Sequence, residues 1–206
     1  CSSDLAALRL LGPVGLRRPR HWFHVGCVVH AVPELGLYSR QSTLQLGNDH
    51  TGACELADPA HDPARDIDEQ AGAWRALLQA ARAHHRERQA AGPSGRLIAG
   101  LPGLRDEQGG SPFWRGLGAH FLEAEPWDVL RRHGPDGRAH LAALLPRQPL
   151  YCSFLAAPAQ AAVAQADPRA RVWMAVLSDA GFRYSHHIDL VDGGPVLEVH
   201  LDPWCR

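Results

Sequence analysis

Hydrophobic and polar positions along this 206-residue chain change period several times, and each change predicts an element. Residues 22–32, WFHVGCVVHAV, form a β-branched run and predict a strand. Pro33, Glu34, Leu35 and Gly36 predict a turn. Residues 37–46 alternate in part and predict a second strand, ending at Gly47, Asn48 and Asp49 and pairing antiparallel with the first. In residues 70–90, Trp74, Leu77, Leu78 and Ala81 stand at i, i+3, i+4 and i+7, the apolar face of a helix that Gly92-Pro93-Ser94-Gly95 ends. Residues 96–100 (RLIAG) predict a short strand. Ser111 suits an N-cap and Pro112 the first helical position, so a helix should follow with Phe113, Trp114, Leu117, Phe121 and Leu122 on one face.

The remaining segments complete the pattern. Leu5, Leu8, Leu10 and Leu11 predict a brief helix stopped at Gly12-Pro13, and residues 57–69 predict a loop rich in Pro and Asp. Helices are expected over 136–145, 158–166 and 169–180, the last stopped by Gly181. Strands are expected over 182–190 and 196–201, joined through Asp192-Gly193-Gly194-Pro195. Helices and strands interspersed in this way predict an α+β fold.

Composition narrows the function classes. The chain is 45% hydrophobic and 21% charged, with a formal net charge of -1, a balance that calls for no nucleic-acid partner and no anionic membrane. All 21 basic residues are Arg, a bias of composition more than of chemistry. Cys1, Cys27, Cys54, Cys152 and Cys205 are odd in number and lack CxxC spacing, which argues against a disulfide framework or a zinc knuckle. Scattered thiols of this kind predict a reduced, cytoplasmic protein. No stretch reaches the ~20 apolar residues of a membrane span. A start at Cys1 is read as a trimmed chain in preference to a lipoprotein anchor.

Four ordered segments carry a resemblance. They are VVHAVPELGLYSRQSTLQLGNDHTGACEL (28–56), RDEQGGSPFWRGLGAHF (105–121), LAALLPRQPLYCSFL (141–155) and AGFRYSHHIDLVDGGPVLEVHLD (180–202). Together they resemble the arginine N-succinyltransferase family, in the same order and over most of the chain from residue 22 onward. The resemblance implies a GNAT-like mixed β-sheet flanked by helices. It implies a reaction in which succinyl-CoA and L-arginine give N2-succinyl-L-arginine and CoA, in arginine catabolism. Arginine or ornithine would be acceptor, succinyl-CoA co-substrate, and no cofactor would be bound tightly. A homo- or hetero-oligomer is implied as well. Residues 1–21 would form an N-terminal arm and 22–206 the succinyltransferase-like domain, with part of the family's N-terminal half missing.

Acyl transfer from a thioester to an amine sets chemical demands. The amine must lose a proton, the oxyanion needs donors, the thiolate must be protonated and the CoA phosphates need a cradle. The segment matching the family's glycine-rich cradle is residues 62–72, which lacks GxG and places Asp66, Asp68 and Glu69 at the start of a helix. Acids there stabilise the helix and repel a phosphate.

By resemblance, Asp167 stands where the family has its proton-donating His. A carboxyl group titrates near ~3.9 and an imidazole near ~6.5, so Asp167 should be ionised at neutral pH. Gln148 stands where many relatives have His. Asn48 and Asp49, at a strand end, are candidate ligand contacts with an Asx turn as the alternative. Asp189 and Asp192 could bind a guanidinium or simply form a turn and its cap. Arg147 and Tyr151 could meet a succinyl carboxylate or form a structural pair. His186 and His187 should point to opposite faces of a strand, so no metal site is expected, and His84-His85 should be a solvated face. The competing readings are an active succinyltransferase, a catalytically degenerate paralogue or non-catalytic partner subunit, and an acyltransferase with altered chemistry.

Overall fold

The computed structural model describes residues 6–89 and 95–201. Eight strands form one mixed sheet: β1 (Ala6–Leu11), β2 (Trp22–Val32), β3 (Leu37–Gly47), β4 (Cys54–His61), β5 (Arg96–Gly100), β6 (Leu150–Tyr151), β7 (Arg183–Asp189) and β8 (Pro195–His200). Their spatial order is β1-β4-β5-β8-β7-β2-β3-β6. All neighbours are antiparallel except β4 and β5. Among the described residues six helices accompany the sheet: α1 (Ile67–Gln89), α2 (Pro112–Gly116), α3 (Pro126–His133), α4 (Gly137–Leu144), α5 (Ala157–Ala162) and α6 (Arg171–Asp179). This is the α+β, GNAT-like mixed sheet with flanking helices that the sequence implies.

The β2–β3 hairpin runs in register from Trp22↔Gly47 to Val32↔Leu37. Its turn is a single 3-10 turn, Pro33–Leu35, ended by Gly36 at φ 59, a left-handed conformation that suits glycine. Ser111 caps α2 by accepting from the Trp114 N–H, as the Ser-Pro pair predicts. Gly181 ends the α6 segment at φ 89.

Two apolar clusters fix the layers. The first joins α1 and α6 to the sheet: Trp74, Leu78, Trp173, Val176 and Leu177 pack with Leu56, Leu97, Ala99 and Leu197. The second joins α2 to α5 with the other half of the sheet, through Phe23, Leu44, Phe113, Trp114, Leu141, Ala159 and Ile188. Each such buried Leu or Phe side chain contributes about 1.5–3 kcal/mol. A small third cluster, Trp22, Ala53, Ile98 and Val196, lies beneath Val14. No helix among the described residues is long and apolar enough to cross a membrane.

Several expectations are corrected. The brief N-terminal helix is instead a strand, because Ala6–Leu11 completes the sheet edge by pairing with β4; Leu5 lies outside the described residues. The loop over 57–69 is strand as far as His61, since β1 supplies the ladder bonds that Asp58 and Pro59 alone would not suggest. α2 is five residues long, and Phe121 is 48% exposed, not part of its apolar face. The helix predicted over 158–166 stops at Ala162, and α3 is an element the pattern missed. His85 is buried at 3% exposure, so only the His84 side of that pair fits a solvated face.

Candidate active site

Among the described residues the β4–β5 pair is the one parallel contact, and it is short. Its register covers Cys54↔Leu97, Glu55↔Ile98 and Leu56↔Ala99. Beyond that point β4 continues to His61 with β1, while β5 ends at Gly100. Neighbouring strands that part at their carboxyl ends leave a crevice where ligands bind in open mixed sheets. A cleft of about 300 Å³ opens there. Pro59 and His61 come from β4, Trp74 from α1, Pro102 and Arg105 from the segment after β5, and Asp167, Arg169, Ala170, Val172 and Trp173 from the start of α6 and the turn before it.

Its apolar walls are indoles. Trp74 and Trp173 pack with ring centroids 4.8 Å apart, and His61 meets Trp74 edge-on at 6.1 Å. Asp167 is held on the side of β5: its N–H donates to Pro102 O at 2.8 Å, next to the Gly103↔Ala166 bridge. Its carboxylate accepts from Arg169 three times, from the backbone N–H at 2.9 Å, from Nε at 2.8 Å and from Nη2 at 2.7 Å. Those bonds from Arg169 hold the carboxyl below the usual carboxylate range. Asp167 is therefore an ionised, fully engaged group, and His61 is the imidazole in the same cleft.

The other expected site residues fall into separate groups. Arg147 and Gln148 are exposed ahead of β6, and Tyr151 lies in β6, tilted against His30 and edge-on to Phe154. β6 is six strand positions from β4, roughly 29 Å across the sheet. The structure does not bring these three to the cleft. Asn48 forms a turn in which its carbonyl accepts from Thr51 N–H and Oγ1–H, at 2.8 and 2.7 Å.

Asp49 reaches His187, with Oδ2 2.9 Å from Nε2, and this bond holds the Asp49 carboxyl below its ordinary range. His187 Nδ1 faces Ser185 O at 2.8 Å. A β-bulge between Tyr184 and His187, with His186 at φ 58, changes the simple alternation and turns His187 inward. The His50 ring lies 4.3 Å from that of His187 and 5.0 Å from Trp22. Burial, then the charge of His187, push His50 down to about 3. Among the described residues no group of His, Cys, Asp and Glu is arranged to hold a metal ion.

Asp189 does meet a guanidinium, but it is the chain's own. Arg138 from α4 donates to Oδ2 at 2.5 Å, and Val191 N–H donates to Oδ1 at 2.8 Å. Burial raises the Asp189 carboxyl, yet Arg138 and Arg20 outweigh it, and it lies below its ordinary value. Arg20 in turn pairs with the buried Glu55 at 2.5 Å. Asp192 accepts from Gly194 N–H at 3.0 Å, and burial, followed by the charge of Asp189, pushes it up to about 6. These carboxylates brace the β7–β8 turn against β4 and α4. Ahead of α1, Asp66 caps the helix by accepting from Glu69 N–H at 2.8 Å, so acids do occupy that helix N-terminus.

His61, Trp74, Arg105, Arg169 and Trp173 are the cleft residues that sequence reasoning left out of the site. The apolar spacing of α1 pointed to Trp74 as core, and the His61 segment read as loop. The signal that could have found His61 is the alternation of Cys54 to His61 seen through the Asp58-Pro59 interruption.

A mixed sheet whose parallel pair opens onto an aromatic cleft, with helices on its flank, is a fold of the GNAT-like class. Residues 7–204 match the family described as arginine N-succinyltransferase beta subunit. The arginine N-succinyltransferase of Yersinia enterocolitica serotype O:8 / biotype 1B is 38% identical over 192 residues, covering 92% of this chain and 54% of the relative. That of Enterobacter sp. (strain 638) is 38% identical over 193 residues with the same coverage. The solved structure of arginine/ornithine succinyltransferase subunit AI from Pseudomonas aeruginosa superposes with a TM-score of 0.71 at 26% identity, over 93% of this chain and 54% of that one. The chain belongs to the arginine N-succinyltransferase beta subunit family. It spans about half the length of the relatives it matches.

Proposed function

We propose that this chain carries the acyl-transfer cleft of an arginine N-succinyltransferase, forming N2-succinyl-L-arginine and CoA from succinyl-CoA and L-arginine in arginine catabolism. The observation that supports it is the aromatic cleft at the β4–β5 parting, in a chain whose relatives bear that name. Nothing in those similarities favours a degenerate paralogue. The acceptor's α-amine loses its proton and attacks the thioester carbonyl carbon. A C–N bond forms, the C–S bond breaks, and the departing thiolate takes up a proton.

Asp167, ionised and closed by Arg169, is suited to neither proton transfer. His61 lines the same cleft, and a neutral imidazole offers one donor and one acceptor nitrogen. We assign the proton handling to His61. Asp66, Asp68 and Glu69 at the N-terminus of α1 oppose a pyrophosphate there, so succinyl-CoA should bind weakly and no cofactor should remain bound. Ornithine is the second acceptor to test, and association with another subunit fits a family described by its subunit.

The test is release of CoA thiol from succinyl-CoA by the purified chain. Release that depends on arginine is expected. No arginine-dependent release, with no calorimetric binding of succinyl-CoA at millimolar concentration, would overturn the reading.

A further inference from the structure

We propose that Arg105 recognises the free carboxylate at the far end of a dicarboxylic acyl chain held in the cleft. The proposal rests on the acyl-transfer reading above and adds the acyl specificity of the same site. Arg105 lines the cleft on the segment that follows β5. Its guanidinium carbon lies 4.1 Å from the centroid of the Trp127 indole. Stacking of this kind uses the face of the guanidinium and leaves its in-plane N–H fork free for a bidentate carboxylate.

The charges around it leave that fork unspent. Asp106, its neighbour in sequence, turns away to Arg115 and to the N–H groups of Gln108 and Gly110. Arg105 makes no ion pair within 4.0 Å among the described residues; its charge reaches Asp167 only at longer range, as a lesser cause of that carboxyl's lowered value after Arg169. Arg169, the second cation of the lining, is bound twice by Asp167 through its side chain, so those two charges cancel. Among the described residues, Arg105 is thus the cleft cation to which no carboxylate is hydrogen-bonded, beside walls of Trp74, Trp173 and Val172. Apolar walls suit the methylenes of an acyl chain, and the cation suits its terminus. A neutral acyl chain would bury its end against Arg105 without compensation. The residues first expected to meet this carboxylate, Arg147 and Tyr151, stand across the sheet, roughly six strand spacings of ~4.8 Å away.

The experiment compares succinyl-CoA with butyryl-CoA, which has the same carbon count and no terminal carboxylate, in the full chain and in Arg105→Gln. The ratio of kcat/KM for the two thioesters should fall by roughly tenfold or more in Arg105→Gln, and Arg105→Lys should recover part of it. A ratio unchanged in Arg105→Gln would overturn the proposal, whatever happens to the absolute rates. If the wild-type chain turns over neither thioester, the acyl-transfer reading is what has failed. Titration with free succinate then decides the carboxylate site by itself. Succinate binding lost in Arg105→Gln would uphold it, and no succinate binding to the wild-type chain would overturn it.

Discussion

Arg169 grips Asp167 side-on, Nε to Oδ1 at 2.8 Å and Nη2 to Oδ2 at 2.7 Å, and thereby engages both oxygens of the carboxylate that the sequence resemblance implies as the catalytic position. Both oxygens point at donors, and the Arg169 N–H adds a third bond. A group so placed organises the turn before α6 and keeps its charge.

This predicts an asymmetry between two residues of one cleft. His61→Gln should lower kcat by about 10²-fold, the scale of a lost acid–base group. Asp167→Asn should lower it far less, because the turn and one pair of donors survive. Steady-state rates with succinyl-CoA and arginine measure both. A larger loss in Asp167→Asn than in His61→Gln would return the proton to Asp167.

His50 predicts a pH dependence of stability. Its folded value is pushed down to about 3, below the ~6.5 of an unfolded His. Between those limits the unfolded chain binds a proton that the folded chain refuses. Stability is therefore full above pH ~6.5 and declines as pH falls toward 3, by an amount on the order of a few kcal/mol. The groups around the ring are His187, Trp22, Ser185 Oγ at 3.4 Å, Glu198 at 3.8 Å, and the more distant Asp49 and Arg96. Urea midpoints measured across that range should flatten in His50→Gln. Parallel slopes in the two proteins would show that His50 is not the group responsible.

The Arg138–Asp189 pair predicts strong non-additivity. Both side chains are largely buried, at 26% and 14% exposure. Arg138→Met or Asp189→Asn alone should cost about 3–5 kcal/mol, since each leaves its partner's polar groups in a desolvated place. Arg138→Met with Asp189→Leu should cost less than the sum of the singles. Chemical denaturation of the wild type, Arg138→Met, Asp189→Leu and the double variant closes the cycle, and additive costs would mean that Arg20 and Glu55 screen the pair.

Gly103 and Gly194 mark a backbone-on-backbone approach behind the cleft. A Cβ on Gly103 would meet Asp192 O at 2.1 Å, and one on Gly194 would meet Leu101 O at 2.1 Å and Gly103 N at 2.5 Å. Neither contact can be relieved by rotating a side chain. Gly194→Ala should therefore cost about 3 kcal/mol or more and move Pro102, which anchors Asp167. Thermal melts check the first effect and turnover the second.

The sequence revealed those elements whose pattern is local. β2, β3 and β5 are β-branched or alternating runs, and Ser111-Pro112 announces α2 within four residues. β4 was hidden because Asp58 and Pro59 carry turn chemistry, and Asp58 does adopt φ 50; only the distant β1 makes that stretch a strand. The cleft was hidden for the same reason. Its walls come from His61, Trp74, Arg105 and Trp173, more than 100 residues apart at the extremes, and no spacing rule joins them. Asp189 shows the limit from the other side. A carboxylate there suits either a bound guanidinium or a turn, and the guanidinium it meets is that of Arg138 on α4, 51 residues upstream.

The strand order has a consequence for how the chain is made. β1, β4 and β5 form one run of the sheet and β2, β3 and β6 another, and the β7–β8 hairpin is the wedge between them. Two half-sheets with open edges must wait until residues 183–200 leave the ribosome. Pairings such as Arg96↔His200 span over 100 residues, so loop closure is costly before any contact rewards it, and refolding should be slow for a chain of this size. Until the wedge seats, β5 and β2 each show an unpaired edge, and a chaperone that shields such edges would find its substrate there.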